Sequence, residues 1–321
     1  MDAVVGLLDG VRARGAFVLR MMMDPPWSMS IRDEAPLTVI CQTHGSAAIV
    51  GDSSGTVWLH PGDVALARGT EHYVYADDPA TTPMIVIHPG QRCTTLSGET
   101  LKFEMSLGVR TWGNSPSGAT RSVICAYEGH SEVSARLLDA LPAVLVVRAG
   151  EWDTPLVDLL TEEAGCDGAG QEAYLDRLLD LLLIAVLRAW FDRDGNAPTW
   201  WHAEHDPVAG PALKLIYNNP AHPWTVANLA AAVGCSRAVF ARRFTDQVGE
   251  PPIAFLTNWR LALAADLLRS SQATIAAVAR QVGYSTPFAL SSAFKRTYGV
   301  SPNTHRAMAT SPVSEPDSSA R

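Results

Sequence analysis

The chain has 321 residues, 47% of them hydrophobic, and a net charge of −8. That length allows two domains with real cores, and the composition excludes global disorder. The longest apolar run, LLDLLLIAVLRAWF from Leu178, is broken by Asp180 and Arg188, which argues against a bilayer span.

Five cysteines without CxxC spacing argue against a disulfide framework or a zinc knuckle. The opening MDAVVGLLDGVRARGAF has no signal-peptide core, so a cytoplasmic protein without membrane contact is expected. Charge is divided unevenly: residues 206–310 hold ten Lys/Arg against four Asp/Glu, about +6, leaving residues 1–205 near −13. Such a split points to a nucleic-acid-binding module joined to a domain of another kind.

From about residue 15 to 110, short runs such as PLTVICQ, DVALAR, HYVYA and PMIVIH are separated by GDSSG, HPGD and DDPATTP. Many short strands at close spacing predict an antiparallel barrel or jelly roll. Residues 131–191 change period. SEVSARLLDALPAVLVV reads as partly helical, and the following helix places Leu175, Leu178, Leu179, Leu182 and Val186 on one stripe. That stripe needs a partner, either the barrel or a second copy of itself. DRDGNAPTWWHAEHDPVAG reads as a linker. From Pro211 the chain reads as helical almost to TSPVSEPDSSAR, a polar tail expected to be disordered.

The helical part contains an approximate duplication. TVANLAAAVGCSRAVFARRFTDQVGEPP and TIAAVARQVGYSTPFALSSAFKRTYGVSP share one frame. In the first copy, Val226, Leu229, Ala230 and Val233 give a one-sided apolar helix, which Gly234 ends by taking positive φ. Ser236 caps the next helix; Phe240 and Phe244 face inward. Arg237, Ala238, Ala241, Arg242 and Thr245 face outward, with Arg243 at the flank. Arginine forks beside small residues suit a major groove, where they bond guanine O6 and N7.

The second copy repeats this with Val278, Val282 and Gly283. Thr286 is its cap and Pro287 its first helical residue. Leu290 and Phe294 pack inward; Phe288, Ala289 and Ser292 face out, followed by Lys295 and Arg296. Between the copies, PIAFLTNWRLALAADLLRSS predicts one helix of about 18 residues, about 27 Å long, able to set two reading helices about one turn of duplex, 34 Å, apart.

Residues 211–306 resemble the DNA-binding module of AraC-type transcription regulators, through WTVANLAAAVGCSRAVFARRF, VGEPPIAFLTNWRLALAADLL and IAAVARQVGY with AFKRTYGVSPNTHR. By position, the resemblance implies DNA contact by Arg237, Ala238, Ala241 and Arg242, then by Pro287, Phe288 and Ser292. Arg243, Lys295 and Arg296 flank these sets and join the expected DNA-binding residues. Ser292 stands where an arginine is usual and Leu290 where phenylalanine is common, so the second helix is expected to read shape more than bases. His305 replaces a tyrosine, a packing change.

Residues 1 to about 205 are similar to the cupin-type sensor half of one AraC subfamily, through LHPGDVALARGTEHYV, ICAYEG, LLDALPAVLVV and the helix ending LRAWF. The resemblance implies a barrel that receives a signal and helices that dimerise. His44, His60, His72 and His88, with Glu71, are donors that would suit iron, zinc or nickel. The HxH pair of a metal cupin is absent, however, and Glu71 and His72 would face opposite sides of a strand. No metal and no cofactor is expected. Cys125 is a candidate redox switch, with Cys41 or Cys93 as partner thiol, set against a small buried hydrophobe. Cys235, in the turn of the first copy, is read as structural.

The expected fold is α+β: a cupin-like β-barrel with a helical dimerisation segment over 1–205, an all-α tandem helix-turn-helix domain over 206–310, and a disordered tail over 311–321. The expected role is a non-enzymatic homodimeric regulator that binds double-stranded promoter DNA. RNA polymerase is a further candidate partner, and a small molecule or a redox change is the signal. The alternative is a metal-dependent cupin-fold enzyme with a helical appendage.

Overall fold

The computed structural model describes residues 16–310 apart from 70, 102–103, 128–136, 153–154, 194 and 196; the expected tail at 311–321 lies outside the described residues. The chain divides into two compact units at Ala197/Pro198.

The first unit is two stacked sheets. In the seven-stranded sheet, β1 (Phe17–Met23), β12 (Thr120–Tyr127), β3 (Leu37–His44) and β6 (Val64–Arg68) lie at the centre. They are flanked by β11 (Thr111–Gly113) and β10 (Ser106–Gly108) on one side and β13 (Val144–Val147) on the other. The six-stranded sheet runs β5 (Gly55–Leu59), β4 (Ala47–Gly51), β7 (Tyr73–Ala76), β2 (Ser28–Ile31), β8 (Ile85–His88) and β9 (Arg92–Thr95).

Residues 37–42 of β3 are buried without a break, because both faces of the strand are covered. Ile40 joins Met21, Trp27, Met29 and Ile49 in the core between the sheets. On the other face, helix α1 (Leu156–Ala164) packs against β1, β3 and β12. A two-sided strand reads as a continuous apolar run rather than an alternation. Helix α2 (Gln171–Phe191) buries the predicted stripe of Leu175, Leu178, Leu179, Leu182 and Val186. A buried polar knot ties the sheets together. Tyr75 Oη donates to Gln42 Oε1 at 2.8 Å, as does Ser122 Oγ at 2.9 Å, while Gln42 Nε2 donates to the carbonyls of His44 and Gly45.

Three expectations are corrected here. The sheets are mixed rather than antiparallel, since β1 pairs with β11 and β2 with β8 in parallel; partners so far apart in sequence leave no local signal. The VLVV expected in a partly helical stretch is β13, whose β-branched side chains suit the edge that β6 offers. Glu71 and His72 precede β7 instead of lying on a strand, and Glu71 accepts from the Ser53 hydroxyl at 2.6 Å.

The second unit is all helical. Helices α3 (Thr199–Ala203) and α4 (Ala209–Asn218) precede α5 (Val226–Ala232) and α6 (Arg237–Val248), the first helix pair. Helix α7 (Pro252–Ser270) leads to the second pair, α8 (Ile275–Val282) and α9 (Pro287–Tyr298), and then to α10 (Pro302–Thr310). The presumed linker is therefore partly folded: α3 packs on α6, and Trp201 is buried.

Helix α7 serves two cores. Its Phe255, Leu256 and Trp259 enter the cluster of Leu229, Phe240 and Phe244. Its Leu261, Ala265 and Leu268 enter the cluster of Val278, Leu290 and Phe294. Between these runs, Arg260 donates from Nε to the Pro220 carbonyl and from Nη2 to the His222 carbonyl, both at 2.7 Å. Gly283, at φ 89°, brings the turn of the second pair against that same loop. A Cβ there would stand 2.7 Å from Ala221 Cα. Gly283→Ala adds both left-handed strain and a backbone clash, so a loss of about 2–4 kcal/mol is expected in urea unfolding of the full chain.

Candidate nucleic-acid interface

The two pairs form from local signals. In the first, Thr225 caps α5, exchanging hydrogen bonds with Asn228. Gly234 takes φ 71°, and Ser236 Oγ accepts from the Val239 N–H at 3.3 Å to start α6. In the second, Thr274 caps α8, Gly283 ends it, and Thr286 Oγ1 accepts from the Ala289 N–H at 3.1 Å to start α9 with Pro287 at its first turn. The two threonine caps at the starts of α5 and α8 were not recognised in the sequence, although T-x-x-N at Thr225 is a readable capping signal.

On α6, Phe240 and Phe244 are fully buried. Arg237, Ala238 and Arg242 are exposed, Ala241 is half-buried, and Val239 adds an exposed apolar side chain between them. On α9, Leu290 and Phe294 are buried; Pro287, Ser292, Lys295 and Arg296 are exposed, and Phe288 is 80% exposed. Further cations that the sequence reading did not select, Lys214 on α4 and Arg280 on α8, are also exposed.

Arg243 differs from its neighbours. Its Nε donates to Asp206 Oδ2 at 2.8 Å, and Asp206, 7% exposed, also accepts from the Val208 and Ala209 N–H groups at the start of α4. Burial pushes the Asp206 carboxyl up. The Ala209 and Val208 N–H bonds and the Arg243 guanidinium outweigh it and hold the group below its ordinary value. Arg243 therefore locks α6 to α4. His305 is buried against the Phe294 ring at 5.3 Å, and Arg306 donates to the carbonyls of Leu268 and Ala273, which secures α10.

In the first unit, a cavity of about 50 Å³ lies between the sheets, walled mainly by apolar side chains, with Asp33, Thr38 and Gln91 among the polar ones. Cys125 is fully buried on the opposite face of β12, diagonal to Cys41 on β3. Burial, then the neighbouring Cys41, pushes the Cys125 thiol well up, and burial pushes Cys41 up to about 12. Both are held as the unreactive thiol. Cys93, pushed up to about 11 by burial, lines the cavity in the other sheet. His60 bonds Ser46 and His88 bonds Thr94. Among the described residues, no three His, Cys, Asp or Glu side chains converge as a metal site, and no helix is long and apolar enough to cross a membrane.

A family model described as cupin matches residues 2–192, and one described as a helix-turn-helix domain matches residues 229–308. A chain from Streptomyces antibioticus, described by name as an AraC-like transcription regulator, is 39% identical over 178 residues. That match covers 53% of this chain and 58% of the relative, so little more than half of that relative's length is represented. The HTH-type transcriptional regulator AlkR of Acinetobacter baylyi is 28% identical over 313 residues, covering 95% of this chain and 99% of its own. Among solved structures, the DNA-binding domain of AdpA in complex with a target DNA is 33% identical, covers 32% of this chain and 92% of its own, and superposes with a TM-score of 0.31. Both of these relatives are named as transcription regulators, and the cupin-enzyme alternative finds no support in them.

Iodoacetamide added to the native protein should modify the exposed Cys166 first and leave Cys41 and Cys125 intact until denaturant is present, as read by peptide mass. Ready labelling of Cys125 that is lost after mild peroxide would restore it as a redox switch.

Proposed function

This chain belongs to the AraC-type transcription regulators that carry an N-terminal cupin domain, and we propose that it binds double-stranded promoter DNA through α6 and α9 while the cupin half receives a signal. The observation that carries this reading is the placement of two capped helices, each presenting cations outward, on one helix that both cores share. Arg237 and Arg242 are the base-reading side chains of α6, with Ala238 and Ala241 giving the backbone room to approach. On α9, Pro287, Phe288 and Ser292 meet the groove wall by shape, and Lys295 and Arg296 meet phosphate.

The protein acts as a homodimer. Helix α2 leaves Tyr174 and Leu181 half exposed, 50% and 53%, two turns apart along the flank of its buried stripe. An apolar row of that kind suits pairing with a second copy. The signal is a ligand with unequal affinity for the states in which the two DNA-binding units do and do not fit their half-sites.

Arg242→Ala should weaken binding to the specific site by about 1–3 kcal/mol and relax preference at one base position. Footprint titrations on the site and on base-substituted variants would show it; equal loss on random DNA would assign Arg242 to phosphate alone. Leu181→Glu should shift the protein from dimer to monomer in sedimentation velocity while its helix content is retained.

A further inference from the structure

Resting on the sensor role proposed above and refining it, we propose that the cupin half binds an apolar monocarboxylate. Its hydrocarbon or aryl body lies between the sheets and its carboxylate at Arg92 and Arg110.

The cavity between the sheets and a groove beside it adjoin, since Phe17, Leu19, Gln91, Cys93 and Trp112 line both. The inner walls, from Met21, Met29, Ile31, Ile40 and Ile87, gain by touching hydrocarbon and offer no hydrogen bonds to a sugar. Trp112 stands where cavity and groove meet. It is 6% exposed, and its indole N–H has no acceptor among the described residues. Its ring forms part of the apolar wall that cavity and groove share.

The groove supplies the charge. Among the described residues that line it, Arg92 and Arg110 are the only charged ones. Arg110 spends Nη1 on the Cys166 carbonyl at 3.1 Å, which fixes its guanidinium at the rim and leaves further N–H groups for a carboxylate. The backbone marks the same place. Gln91 at φ 56° and Arg110 at φ 43° are two of the non-glycine residues held in the left-handed region, and both line the groove. Backbone held there against its preference clusters where a site must be shaped.

Asp33 sits on the cavity wall, bonded by Gln91 Nε2 at 3.1 Å and by the Ala35 N–H.

The test is calorimetric titration of the full chain with octanoate and 4-butylbenzoate, against octanol and octylamine. The expected result is saturable binding of at least one carboxylate, roughly tenfold or more tighter than the alcohol and the amine. Arg92→Ala with Arg110→Ala should abolish that preference while octanol binding persists, which shows that the variant is folded. The proposal is overturned if neither carboxylate saturates, if octanol or octylamine binds as tightly, or if the double arginine variant keeps the preference. Footprinting of the same preparation on DNA upstream of its own gene separates the two readings. A footprint without carboxylate binding overturns this ligand and spares the regulator; carboxylate binding without any footprint supports the site and removes the regulator.

Discussion

One guanidinium and one glycine hold the two helix pairs in register. Arg260, midway along α7, donates to the carbonyls of Pro220 and His222, and the Ala221 backbone between them rests against Gly283. Hydrogen bonds from a charged donor are among the stronger ones a protein makes. Burial pulls the Arg260 guanidinium down, with Tyr284 opposing, as expected of a cation enclosed by its acceptors. Helix α7 runs 19 residues, and its apolar side chains pass from one core to the other across this point. Reading helices on a loose tether would lose their spacing to conformational entropy. On this frame, their spacing is part of the fold.

The same economy governs the charged residues of α6. Arg237, Arg242 and Arg243 are all exposed, and Arg243 also bonds Asp206, whose other oxygen starts α4. Of three arginines close together in one helix, one therefore also ties the helix to its neighbour. In the first unit the corresponding constraint is the knot of Gln42, Tyr75 and Ser122. Every bond of the Gln42 amide is used inside an otherwise apolar sandwich, which selects one stacking of the sheets over others.

Much of the helical unit was legible because its signals are local. Gly234 and Gly283 at positive φ, Ser236 and Thr286 as caps, Pro287 at a first turn and the inward Phe240, Phe244, Leu290 and Phe294 each follow from neighbours within four residues. In the first unit, the strands within PLTVICQ, DVALAR and PMIVIH were equally plain. Misreadings came where the partner is remote. VLVV is helix-compatible until β6 offers an edge, Glu71 and His72 look like strand residues until β7 is seen to begin at Tyr73, and Thr199–Ala203 reads as linker until Trp201 finds its pocket.

The sequence alone determined that there are two capped helix pairs joined by a helix, an acidic strand-rich half and a basic helical half. Capping, turn φ and apolar period are set by residues that touch along the chain. Tertiary structure decided the rest: that Arg243 belongs to Asp206 at 37 residues' remove, that Gly283 must admit Ala221, that Cys125 is sealed from solvent, and that Arg92, Arg110 and Trp112 share one opening. These depend on groups brought together only when the chain closes on itself, and no spacing along the sequence records a distance across a core.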